Sequence, residues 1–151
     1  MLLQMNPRQK LAIAACVILL ILEIPIPYLA SPEWTVVVTD ESARPLTGMP
    51  VLLSYENYSV EDHDHEIDLL TDSNGRVIFP AQKRKALILS RCYYTARSAM
   101  ALAHASFGPN ASVLVFGNGR EGSVNSPDGT VYFWKGQPDR VASTIVARPR
   151  E

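Results

Sequence analysis

The residues from Trp34 to Phe79 constrain the fold most, because extended segments alternate apolar and polar side chains there and turn residues separate them at regular distances. Trp34, Val36 and Val38 alternate with Thr35, Val37 and Thr39, the period-2 signature of a half-buried strand. Asp40 to Gly48 then supplies Asp, Ser, Pro and Gly, each suited to a bend for its own steric or hydrogen-bonding reason. The next strand, Pro50 to Tyr58, places Val51, Leu53 and Tyr55 on one side and Leu52 on the other. Thr71-Asp72-Ser73-Asn74-Gly75 separates Ile67–Leu70 from Val77–Phe79, and Asn-Gly predicts a tight hairpin because both residues tolerate positive φ. The pattern predicts a mainly β chain whose first half is one half of a β-sandwich.

The turns carry a resemblance. The first strand ends in Thr39-Asp40, Arg44-Pro45-Leu46-Thr47-Gly48-Met49-Pro50-Val51 follows, and Thr71-Asp72-Ser73-Asn74-Gly75-Arg76-Val77 comes later. These segments resemble the carboxypeptidase regulatory-like domain, a transthyretin-like (prealbumin-like) β-sandwich, in its PL-x-G-x-x-V and TD-x-x-G motifs. The match covers roughly a third of the chain and departs at Ala43 and Arg44, where the family usually has Gly, and at Met49, where a small residue is common. It implies a Greek-key sandwich of about seven strands with one short helix, and an accessory or structural role. Function does not follow from fold.

With 14 basic and 15 acidic residues the formal net charge is −1. So balanced a chain has no basic field for holding nucleic acid. The two cysteines, Cys16 in an apolar run and Cys92 in the domain, offer no intradomain disulfide, and Cys92 reads as a small core group.

Residues 11–22, LAIAACVILLIL, are apolar without interruption and follow Arg8 and Lys10. At about 1.5 Å per residue they give roughly 18 Å, short of a hydrocarbon core of about 30 Å. Extension through Ala30 would reach about the 20 residues a span requires. The reading is a transmembrane anchor over residues 1–30 and an extracytoplasmic domain over 31–151, with the cations before the run left in the cytoplasm. A cleaved signal peptide ending at Ala30 is the main alternative, and bulky Tyr28 disfavours that cut. A lipobox at Ile13-Ala14-Ala15-Cys16 is the weaker one, since most of the apolar run lies after the cysteine.

Glu61-Asp62-His63-Asp64-His65-Glu66 is the densest polar cluster. In extended chain His63 and His65 project to one side and Asp62, Asp64 and Glu66 to the other. Imidazoles suit zinc or copper and carboxylates calcium, so His63, His65, Asp62 and Asp64 are the candidate metal ligands. A solvated loop or edge strand is the plainer reading of the same residues. Further on, Lys83-Arg84-Lys85 reads as a loop, Ala86–Leu89 as a short strand, and Thr95–Ser106 as a helix bearing His104. Ala111–Phe116 reads as a central strand, residues 117–129 as a glycine-rich loop, 130–134 and 141–147 as strands, and 148–151 as a tail.

No Ser-His-Asp, Cys-His or paired-carboxylate arrangement can be argued from spacing, and no cofactor is implied. The function expected is a non-catalytic binding or scaffolding module, held to the membrane by its N-terminal helix and offering its loops to another envelope protein or a glycan. Two alternatives remain. One is a metal-binding module using His63 and His65. The other is a small hydrolase such as the transthyretin-like hydroxyisourate hydrolases, whose terminal Tyr-Arg-Gly-Ser motif is absent from this chain.

Overall fold

Asn6 starts the first helix by a reciprocal cap: its side chain accepts from the Gln9 N–H, and the Gln9 side chain accepts from the Asn6 N–H. The computed structural model describes residues 6–124, 130–132 and 139–150. Helix α1 spans Pro7–Leu22, with Pro7 at the position where a missing N–H costs nothing. Pro25 and Pro27 then end helical geometry, and the extension to Ala30 expected of an anchor does not occur. Pro25–Ser31 is instead strand β1, antiparallel to β6 (Gln82–Leu87) in a two-stranded sheet where prolines lack only edge donors. Among the described residues, no helix is long and apolar enough to cross a membrane.

The chain is mainly β. Strand β2 (Glu33–Thr39) lies between β5 (Arg76–Phe79), antiparallel to it, and β10 (Arg140–Val146), parallel to it. A larger sheet centres on β3 (Pro50–Asn57), antiparallel to β4 (His65–Leu70) on one edge and to β7 (Pro109–Gly117) on the other. Beyond β7 lie β8 (Arg120–Ser123), with β11 (Arg148–Pro149) outside it, and β9 (Thr130–Tyr132). Among the described residues there are eleven strand segments, against the seven or so expected. The glycine-rich loop contributes β8 and the tail β11, while residues 125–129, 133–138 and 151 lie outside the described residues.

The two larger sheets share one core, as a β-sandwich requires. Trp34, Val36 and Val38 from β2 and Val77 and Phe79 from β5 meet Val51, Leu53 and Tyr55 from β3 and Val113 and Val115 from β7. Each fully buried aliphatic side chain contributes about 1.5–3 kcal/mol. The buried Trp34 indole also donates to Ser143 Oγ at 3.0 Å, fastening β10 to β2.

The turn at 72–75 forms, with Asp72 Oδ1 accepting the N–H groups of Asn74 and Arg76 and Gly75 at φ +70. It is not a hairpin. Strand β4 pairs with β3 and β5 with β2, so the turn carries the chain from one sheet to the other. Asn-Gly chemistry decides the local bend; pairing is decided by which strands share the core. Nearby, Thr71 Oγ1 donates to Leu46 O at 2.6 Å and accepts from the Met49 N–H at 2.9 Å, so the two motif segments are bonded to each other.

The second half departs further. Lys83-Arg84-Lys85 lies inside β6, and helix α2 runs Ile88–Met100, beginning where a strand was expected and ending before His104, which sits on a single 3₁₀ turn. Cys92 is exposed on α2 rather than in the core.

A Cβ at Gly75 would stand 2.5 Å from Val38 O, whereas one at Gly119, at φ +71, would meet nothing within 4 Å. Gly119→Ala is therefore expected to cost about 1–2 kcal/mol from conformation alone, and Gly75→Ala on the order of 3 kcal/mol because backbone must also move. Denaturant unfolding of both variants measures the difference; equal losses would contradict the close approach of Gly75 to β2.

Candidate functional site

Strand β3 ends at buried Asn57, and Asn57 turns the chain. Its backbone carbonyl accepts the N–H groups of Val60 and Glu61 at 2.9 and 3.1 Å, and its side chain accepts the Ser59 N–H at 3.0 Å. Val60 is buried under this turn. From the far side α2 adds Ser98 Oγ, which donates to Tyr58 O at 3.1 Å, and Arg97, which donates to Asp62 Oδ2 at 2.8 Å. The segment expected to be a solvated loop or edge strand is both: Asp62, His63 and Asp64 are exposed on a hydrogen-bonded turn after β3, and His65 and Glu66 begin β4 at the edge of its sheet.

The product of the turn is the placement of Glu61. Glu61 Oε1 accepts from Tyr28 Oη of β1 at 3.2 Å, while Oε2 lies 2.9 Å from His65 Nε2 at the start of β4. The Glu61 and His65 side chains are 10% and 18% exposed, so this contact is largely shielded from water. His63, 62% exposed, meets His65 edge-on with ring centroids 4.8 Å apart, and Tyr55 holds the His65 ring at 5.4 Å. The ligand atoms of Glu61, His63 and His65 all lie within 4.8 Å of one another.

Of the residues expected to bind metal, His63 and His65 come together and the two aspartates do not join them. Asp62 is engaged by Arg97 and by Tyr94 Oη, with a 3.6 Å contact to His63 Nδ1, and Asp64 Oδ2 accepts from Ser54 Oγ at 3.3 Å. Glu61 takes their place. Extended chain would already put Glu61 on the side of the two histidines, at i, i+2 and i+4; the turn at Asn57 sets where its carboxylate meets His65. The sequence signal was Asn57 itself, a residue that caps turns with its side chain, with Glu61 four residues later and His65 four beyond that.

The electrostatics follow from these contacts. Burial, reinforced by the neighbouring Glu61 carboxylate, pushes the Tyr28 hydroxyl up to about 12, so it stays a proton donor to Glu61. The Arg91 guanidinium lies 5.4 Å from the centre of the Tyr28 ring. The Arg97 hydrogen bond holds the Asp62 carboxyl below the usual aspartate range, and burial together with the Asp62 charge raises the Tyr94 hydroxyl.

Glu61 also divides two clefts. One, of about 300 Å³, is lined by Glu56, Asp62, Arg97, Ser98 and His104 among others. The second, of about 290 Å³, has Tyr28, His63, Arg84, Lys85 and Ser90 on its walls. Both are open and carry charge of both signs. No protein family matches the chain and no curated protein is found similar to it.

If Tyr28 is pinned against Glu61, the difference in ultraviolet pH titration between the wild-type chain and Tyr28→Phe should show one phenol ionising near 12. The raised value means this contact stabilises the fold fully below the unfolded tyrosine value of about 10, with the contribution lost as pH rises through the folded one. An ordinary ionisation near 10 would contradict the contact.

Proposed function

We propose that this chain is a membrane-held β-sandwich binding module whose domain, residues 31–151, stands on the extracytoplasmic side and performs no chemistry of its own. The observation that carries the proposal is α1. Residues 11–22 are apolar all round the helix, no residue of α1 is buried, and Leu11 and Leu20 are more than two-thirds exposed. A helix apolar on every face belongs in a core or in lipid, and this one lies outside the core. Its sixteen residues give about 24 Å against a hydrocarbon core of about 30 Å. Local thinning of the bilayer and the long side chains of Arg8 and Lys10 close such a gap at modest cost. Those two cations place the N-terminal end in the cytoplasm.

In this reading the two larger sheets are a Greek-key sandwich of the transthyretin-like kind, and the bonded turns at 44–51 and 71–77 are its family motifs. Recognition falls to the clefts beside Glu61, where charged and aromatic side chains are mounted on held backbone, as suits a module that meets another envelope protein or a glycan.

The full chain is expected to float with lipid vesicles in a density gradient and to resist alkaline extraction. Val17→Lys/Leu20→Lys should release it, since a cation near a helix centre costs about 2.5–3.5 kcal/mol on insertion. Exposed Cys92 reports the side: a membrane-impermeant maleimide should label it in intact cells. Labelling only after lysis would overturn the orientation, and flotation of the double-lysine variant would overturn the anchoring role of α1.

A further inference from the structure

We infer that Glu61, His63 and His65 form a binding site for one late first-row divalent cation, zinc or copper. This goes beyond the binding role above and does not depend on which side of a membrane the domain stands. One carboxylate oxygen and two imidazole nitrogens lie within 4.8 Å of one another. In a tetrahedral site with bonds of about 2.1 Å, ligand atoms stand about 3.4 Å apart. The triad therefore needs to contract by little more than an ångström, and the exposed His63 side chain on its turn is the part free to move. Glu61 Oε2 and His65 Nε2 stand 2.9 Å apart, and an ion bound between them replaces that hydrogen bond, with His65 neutral and its Nε2 lone pair turned to the metal.

The support around the triad is of the kind metal ligands require. Tyr28 Oη donates to Glu61 Oε1 and leaves Oε2 for the ion, so Tyr28 is a positioning residue. Tyr55 fixes the ring of His65, and Asn57 fixes the backbone of Glu61. The choice of ion follows from the donor set. Calcium demands six to eight oxygens, and a cluster with two imidazoles supplies too few. Arg84 and Lys85 on the facing wall of the cleft also oppose a cation held by charge alone. Zinc and copper gain instead from bonding to imidazole nitrogen. Three protein ligands leave a further position open toward that cleft.

Isothermal titration of the full chain in detergent micelles with zinc, copper and calcium chlorides tests the site. One equivalent of zinc or copper should bind with a micromolar or tighter dissociation constant, and calcium should not. His63→Ala and Glu61→Gln should each weaken binding at least about tenfold, and Tyr28→Phe about tenfold, whereas Asp64→Asn and His104→Ala should leave it unchanged. His63 is exposed, so its loss reads the site without disturbing the fold, and thermal melting of each variant confirms this. Affinity no tighter than millimolar for zinc and copper, or binding that survives His63→Ala and Glu61→Gln but falls with Asp64→Asn, would overturn the assignment.

Discussion

Strand β3 is hydrogen-bonded along both edges, to β4 and to β7, while its inner face puts Val51, Leu53 and Tyr55 into the core. A strand held on three sides has no freedom at its ends. The backbone leaving it at Asn57 starts from a fixed point in a fixed direction, and the asparagine bends it once more before the side chain of Glu61 is reached. The connection between the two strands stays at the surface, but its first turn is fixed by hydrogen bonds to Asn57 and by buried Val60.

The same constraint joins the two ends of the molecule. Tyr28 lies six residues beyond the last residue of α1, and extended chain covers at most about 3.3–3.6 Å per residue. The backbone of Tyr28, whose hydroxyl orients Glu61, therefore sits within about 22 Å of the end of the apolar helix. Buried Ala30 and Ser31 seat the end of β1 against the sandwich, and β6 pairs with the rest of β1. If α1 rests in lipid, that length of chain holds the clefts beside Glu61 at short range from the membrane surface, and Lys83, Arg84 and Lys85 on β6, which pairs with β1, are in the same neighbourhood.

Much of the sandwich was legible in the sequence because it depends on side-chain alternation alone. Trp34, Val36 and Val38, then Val51, Leu53 and Tyr55, then Ala111, Val113 and Val115 alternate in the sequence and are buried in the structure. Turn residues were equally readable at Asp40 and at Gly75. What local chemistry does not specify is which strands pair, so the bend at 72–75 was read as a hairpin when it links two sheets. Strand β6 and helix α2 were misplaced for a related reason. Lys83-Arg84-Lys85 has no apolar alternation, because that two-stranded sheet is largely exposed, and α2 buries none of its residues, so its helical periodicity was read but no core contact marked where it begins and ends. Cys92, on that helix, was placed inside on composition alone.

The site was half legible. His63 and His65 stood out by residue type, while Glu61, which shares their side in extended chain, was not named with them, because what sets its carboxylate beside His65 is the turn at Asn57 and the hydroxyl of distant Tyr28. Residues 57–61 are held as firmly as the strands on either side of the turn. Native-state hydrogen exchange measures this residue by residue. The amides of Val60 and Glu61, which donate to Asn57 O, should exchange with protection comparable to that of β3 and β7. Exchange of those two amides at the rate of an open loop, while the strands remain protected, would contradict it.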